Sequence, residues 1–105
     1  MFTVTFVLYE KDGIERAEAL RYWREDHGPI VAKVPGVQRY VQQHAVGAPA
    51  GAPPFLGVAS LSFADRAAFE TAGGSPEFAA AIADVPNFAQ GELPTAFTED
   101  VVVVG

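Results

Sequence analysis

The sequence predicts an α+β domain of the split βαβ kind: elements in the order βαββαβ, a four-stranded antiparallel sheet and both helices on one sheet face. Three observations predict it. β-branched and aromatic runs stand at both ends of the chain, at Met1 to Tyr9 and Ala96 to Val104. A helical apolar arc contains Leu20, Trp23 and His27, and a second helical region opens with cap signals at Asp65 and at Ser75-Pro76. Between these regions lie two further strand-like runs.

Taken in order, Met1 to Tyr9 places Phe2, Val4, Phe6 and Leu8 on one face and Thr3, Thr5, Val7 and Tyr9 on the other, the period of a strand that can be covered on both sides. Glu10 to Gly13 is a turn, and a helix is expected from about Ile14, with Asp12 a weak cap. Ala17 to Arg21 favours helix. Gly28-Pro29 should end or kink it, because proline lacks a donor and biases its predecessor away from helical dihedrals. A short helical piece from Ile30 to Val34 precedes the Pro35-Gly36 turn.

Val37 to Val46 is expected as the second strand, with Gln38, Tyr40, Gln42 and His44 on one face. That polar and amphipathic face is a candidate pocket wall. Gly47 to Pro54 contains only glycine, alanine and proline and reads as a plain connection. Phe55 to Phe63 is the third strand. Asp65 should cap a helix over Arg66 to Thr71, Gly73-Gly74 should break it, and Ser75-Pro76-Glu77 should restart one with Phe78, Ala79, Ile82 and Phe88 inward. The last strand ends in Val101 to Val104, a run normally buried on both sides or paired with another chain.

Composition narrows the function classes. The 105 residues suit one domain, 1–105, large enough to bury roughly two-thirds of the unfolded chain's surface. Half the residues are hydrophobic and eight are phenylalanine. This is rich for the size, and favours a homodimer that covers the second sheet face. Seven basic against 13 acidic residues give a formal charge of −6, which works against nucleic acid and anionic lipid as partners. Without cysteine there is no disulfide, thiolate metal site or cysteine nucleophile, and two histidines alone rarely hold zinc. No stretch approaches the ~20 apolar residues of a membrane span. The N-terminus reads as a strand rather than a signal peptide, so a cytoplasmic protein is expected. Gly73-Gly74 lacks the spacing and lysine of a phosphate loop, which leaves no cofactor indicated.

The residue that stands out is His27. At about 100° per residue it shares a narrow arc with Leu20 and Trp23, which puts an ionisable imidazole on the face that should meet the core. It is either a proton-transfer group in an apolar cavity or a core histidine bonded to a carbonyl or carboxylate. A cavity on the scale of ligand sites, several hundred cubic ångströms, with Tyr40 also facing it, would favour the first; an imidazole packed and bonded internally would favour a structural dimer or an accessory role. Trp23 is a cavity wall or simply core. Tyr40 and His44 share a strand face roughly 13 Å apart. Both border a pocket in one reading and reach solvent in the other. Arg39 faces the opposite way, toward a dimer contact or solvent. Asp84, Glu92, Glu99 and Asp100 show no paired spacing, so two-carboxylate chemistry has no support.

The stretch Tyr22-Trp23-Arg24-Glu25-Asp26-His27-Gly28-Pro29, followed by Pro35-Gly36 and Tyr40, resembles the signature of the EthD family: aromatic-Trp, three residues, His-x-Pro, then Pro-Gly and a strand tyrosine. Weaker likeness extends to Phe88, Phe97 and Glu99. The resemblance implies a ferredoxin-like subunit in a dimeric α/β barrel. It also implies roles as varied as accompanying ether-degrading oxygenases, lactone isomerisation and polyketide dehydration. Haem, which related barrels bind through a histidine, ranks below an organic ligand. With the resemblance, the expected function is a cofactor-independent isomerase, cyclase or dehydratase of a small apolar metabolite. His27 would move the proton and Tyr40 orient an oxygen, with Trp23 and His44 as substrate contacts. The alternative is a non-catalytic small-molecule-binding accessory protein of an oxygenase system.

Overall fold

The computed structural model describes every residue from Met1 to Gly105. Four strands, β1 (Phe2–Leu8), β2 (Arg39–His44), β3 (Gly57–Phe63) and β4 (Thr95–Thr98), form one sheet in the order β2-β3-β1-β4. Every neighbouring pair is antiparallel. Four helices complete the chain: α1 (Arg16–Tyr22), α2 (Gly28–Val31), α3 (Arg66–Gly73) and α4 (Pro76–Asp84). A wide π turn, Trp23–His27, joins α1 to α2, and a 3₁₀ turn, Val85–Asn87, follows α4.

The period-2 pattern of the strands decides which face is covered. Val4, Phe6 and Leu8 of β1 and Ala59, Leu61 and Phe63 of β3 are buried with Trp23, Val31, Val34, Ala81, Val85 and Phe88 from the helical side. The alternate positions, among them Thr3, Thr5, Arg39, Gln43 and Ser60, line an open groove on the other face. Hydroxyl pairs bridge strands there, Thr3 to Ser62 at 2.8 Å and Thr5 to Thr98 at 2.6 Å. Arg39 therefore lies on the uncovered side, as its strand parity requires.

Cap chemistry sets the second helical region. Asp65 accepts the Ala68 N–H at 2.8 Å and Ser75 Oγ accepts that of Phe78 at 3.1 Å. Replacing Ser75 by Ala should lower the unfolding free energy by about 1 kcal/mol in denaturant titration, with no change in the native fold. α1 begins two residues later than expected and has no side-chain cap at Glu15. Its start is fastened instead by Arg16, which pairs with Glu10 and donates to the Ala45 and Phe55 carbonyls at 2.8 and 2.9 Å. One guanidinium thus ties the helix to both ends of the plain 47–54 connection.

Other details also differ from expectation, among them β3, which begins at Gly57 rather than Phe55. β2 runs only over Arg39–His44, because Pro35-Gly36 (Gly36 φ 78°) still turns the chain just before it. On α4 it is Ala81 that is buried in the core, whereas Ala79 and Ile82, both expected inward, are exposed. The last strand ends at Thr98, and Val101 to Val104 are exposed. The cause is register: Thr98 pairs with Thr3, so the antiparallel partner strand runs out two residues later and nothing remains in this chain for the valines to pair with.

Candidate functional site

Gly28-Pro29 was expected to end or kink the first helix, yet the chain stays helical through it. Proline has no N–H for the Glu25 carbonyl, and its ring needs room beside the preceding turn. The chain widens instead: the Gly28 N–H donates to the Trp23 carbonyl five residues back, a π turn of the kind found at functional sites. The wide turn stacks Trp23 and His27 on one inward face, fully buried and 5% exposed respectively.

His27 Nδ1 lies 2.8 Å from Asp84 Oδ2. Asp84 is the last residue of α4, where the helix dipole disfavours a carboxylate. It is held there by three donors. Besides His27, Tyr22 Oη and Asn87 Nδ2 each donate to Oδ1 at 2.8 Å. Burial pushes the Asp84 carboxyl up, but these hydrogen bonds outweigh it and keep the pKa below the usual carboxylate value. Burial lowers the His27 pKa below 6.5, against the raising effect of Asp84. Both directions describe one state at neutral pH, an ionised Asp84 accepting from the Nδ1–H of a neutral His27. The lone pair then sits on Nε2, which bonds to no protein group. Trp23 Nε1 is the sole buried side-chain N or O atom without a partner, so Nε2 keeps access to open space.

His27 also lines a cavity between the sheet and the helices. Phe6, Leu8, Tyr40, Ala59 and Leu61 form its sheet wall, Trp23, His27 and Val31 one helical wall, and Phe78, Ala81, Ile82 and Val85 the other, with Leu93 at the side. Its volume is about 40 Å³, within a free space of about 410 Å³ counted out to open solvent. The enclosed part is far below the several hundred cubic ångströms expected of a ligand site and suits waters or a few-atom group. Ile82, 41% exposed, stands at its rim.

The sequence-derived candidates divide accordingly. Trp23, His27 and Tyr40 border the same cavity, while His44 does not. His44 stacks on the Trp23 indole at 4.5 Å and 8°. It also lies 2.7 Å from Gln42 Oε1. Gln42 Nε2 in turn donates to the Trp23 carbonyl at 2.8 Å and to Tyr40 Oη at 2.7 Å. The Tyr40 hydroxyl therefore accepts from Gln42 and keeps its own hydrogen uncommitted. Burial raises its pKa, so it is a neutral donor. Phe88 packs against Tyr22, Trp23 and His27, with its ring centroid 4.8 Å from the imidazole.

Sequence reasoning put Gln42 on the candidate pocket wall and Tyr22 in the family-like stretch without giving either a role, and it passed over Asp84 as an unpaired carboxylate. For Asp84 a signal existed: an acid in the last turn of a helix, where acids are disfavoured, followed by Pro86 and Asn87. Nowhere do three His, Cys, Asp or Glu side chains gather as metal ligands. No helix is long and apolar enough to cross a membrane.

Known proteins resemble this chain in sequence and in fold. An uncharacterized 11.0 kDa protein from the thcB-thcC intergenic region of Rhodococcus erythropolis is 31% identical over 83 residues, 79% of this chain and 81% of its own length. A crystal structure of an EthD family protein from Bacillus halodurans superposes with a TM-score of 0.78 at 23% identity, covering 96% of this chain and all of that one. A dimeric ferredoxin-like protein of unknown function from Thermobifida fusca superposes at 0.72 with 12% identity, covering 92% and 88%. These two establish a ferredoxin-like fold. Residues 11–92 match the EthD domain, a span that holds the π turn, His27, Tyr40 and Asp84, and the chain belongs to the EthD family.

Proposed function

We propose that this protein is a proton-transfer enzyme, an isomerase, cyclase or dehydratase that needs no cofactor and acts on a small apolar lactone, polyketide or aromatic compound. The observation that carries the reading is the His27–Asp84 pair: it fixes the tautomer that leaves Nε2 as a base toward an almost wholly apolar cavity. Tyr40, with a free hydroxyl hydrogen beside that base, orients a substrate oxygen. The small closed volume means that a ligand enters by displacing the rim side chains Ile82, Phe78 and Leu93. We read the molecule as a cytoplasmic homodimer, which the dimeric relative supports.

A second reading is supported by the lining itself, in which twelve of thirteen residues are hydrophobic: a non-catalytic binder of apolar compounds that assists an oxygenase. Solvent-deuterium incorporation into cyclic ketones and unsaturated lactones separates the two. The enzyme should exchange an acidic C–H at a rate that rises with pH through a midpoint below 6.5, since burial lowers the His27 pKa and the neutral form is the base. His27→Gln should lose about 10²-fold or more of that rate. Binding without exchange, independent of pH across that range, would establish the binder instead.

A further inference from the structure

The proton-transfer reading gives Tyr22 and Asn87 no part, yet both reach the acid that stands behind the base. The two oxygens of Asp84 have separate duties. Oδ2 meets His27 Nδ1 at 2.8 Å, while Oδ1 accepts from both Tyr22 Oη and Asn87 Nδ2, each at 2.8 Å. These donors come from opposite directions along the chain, 62 residues before the acid and three after it. Asn87 also belongs to the 3₁₀ turn that leads into Phe88, whose ring lies 4.8 Å from the imidazole.

Both donors are neutral, although a cation is at hand. Asp84 lines a groove on the outer surface together with Lys33, Glu77 and Asn87. Lys33 makes no ion pair there, and the ionisable partner of Asp84 within 4 Å is His27. Asp26, which lies near Tyr22, is bonded to Arg21 at 3.1 Å instead. The distinction matters for the base. A lysine or arginine would hold the carboxylate as firmly but would cancel its charge, and with it the pull on the imidazole. Neutral donors fix the oxygen and leave the negative charge facing Nδ1–H. They also oppose rotation, since a side chain 11% exposed and bonded through one oxygen alone would be free to turn toward water in the groove.

We propose that Tyr22 and Asn87 are positioning residues for the proton-transfer step: by fixing Oδ1 they aim Oδ2 at His27 Nδ1 and set how strongly the carboxylate draws a proton onto the imidazole. The assignment rests on the reading of His27 as the base. In that step the C–H bond breaks, its electron pair stays with the substrate, and the proton bonds to the Nε2 lone pair. Positive charge then appears on the ring, and the ionised Asp84 stabilises it through Nδ1–H. The two donors draw part of the carboxylate charge toward Oδ1 and so moderate that stabilisation. Removing either concentrates charge at Oδ2, favours the imidazolium and moves the His27 titration to higher pH.

The test is the titration of the His27 ring by ¹H–¹⁵N NMR in the intact protein, which needs no substrate. Tyr22→Phe keeps the ring that stacks on Phe88, 5.5 Å between centroids. This variant and Asn87→Ala should each raise the proton affinity of His27 about threefold. Deuterium exchange into cyclic ketones should show the same upward displacement of its midpoint, because the neutral ring is the base. In an Asp84→Asn background both substitutions should leave the His27 titration unmoved, since no carboxylate charge remains to redistribute. Loosened packing would instead relieve burial and raise the midpoint in both backgrounds. That result, or no movement in either background, would overturn the positioning role and leave the His27 reading intact. An exchange midpoint that stays in place while the ring titration moves would remove His27 as the base, and the part of the two donors in the reaction with it.

Discussion

Asp84→Asn is expected to cost the proton-transfer rate about as much as losing His27 itself, on the order of 10²- to 10⁴-fold, while the fold survives. The argument lies in how the carboxylate is held. Tyr22 and Asn87 both donate to Oδ1, so an asparagine at this position keeps its oxygen there and turns its NH₂ toward His27 Nδ1. An NH₂ group cannot accept a hydrogen bond. His27 must then become the acceptor at Nδ1, and its proton moves to Nε2, the atom that faces the cavity. The hydrogen bond persists in reversed polarity, and so does most of the stability, but the base is gone. Nitrogen-15 shifts of the His27 ring report the tautomer directly, alongside exchange rates on a substrate found by screening. Any residual rate should show its pH midpoint lowered further, because the asparagine no longer opposes the lowering effect of burial on His27. An Asp84→Asn protein with the inverted tautomer and wild-type turnover would remove Nε2 from the mechanism.

Gly57→Ala should be the most destabilising of the glycine-to-alanine changes in the chain. A Cβ at Gly57 would meet the Trp23 ring at 2.5 Å and would also collide with the Gln43 carbonyl. Neither side can yield cheaply: Gly57 is paired in β3 with Leu8 on one side and His44 on the other, and the indole is held by the stacked His44 and Phe88 rings. Overpacking of this kind costs about 3 kcal/mol. That corresponds to roughly a 12–24 °C fall in Tm for a domain of this size. Thermal unfolding of Gly57→Ala, Trp23→Phe and the double variant forms a cycle in which the smaller ring should relieve part of the penalty. A single variant melting within 2 °C of wild type would show that the indole has room to move.

Much of this was legible before any coordinates. The alternation in Phe2 to Leu8 and in Tyr40 to His44 reports which side chains face inward, because strand geometry fixes that parity within a few residues. The arc through Trp23 and His27 was likewise local. The proline at position 29 was legible too, but not its consequence. A helix facing a proline can stop, kink or widen, and which of these costs least depends on what packs against it. The terminal valines show the converse error. Their composition favours a strand, but a strand needs a partner, and β1 has already ended where they begin.

The chain's own sequence therefore determined the order of elements, the covered sheet face and the presence of an imidazole among apolar residues, since each follows from periodicities of a few residues. The tertiary structure alone decided the chemistry of that imidazole. Asp84 lies 57 positions from His27 in sequence, and no local pattern links a helix C-terminus to a π turn. Their meeting is fixed by how α4 packs against α2 and by the Phe88 ring lodged beside the imidazole. Which nitrogen carries the proton, and how little space lies in front of the other, are properties of that packing.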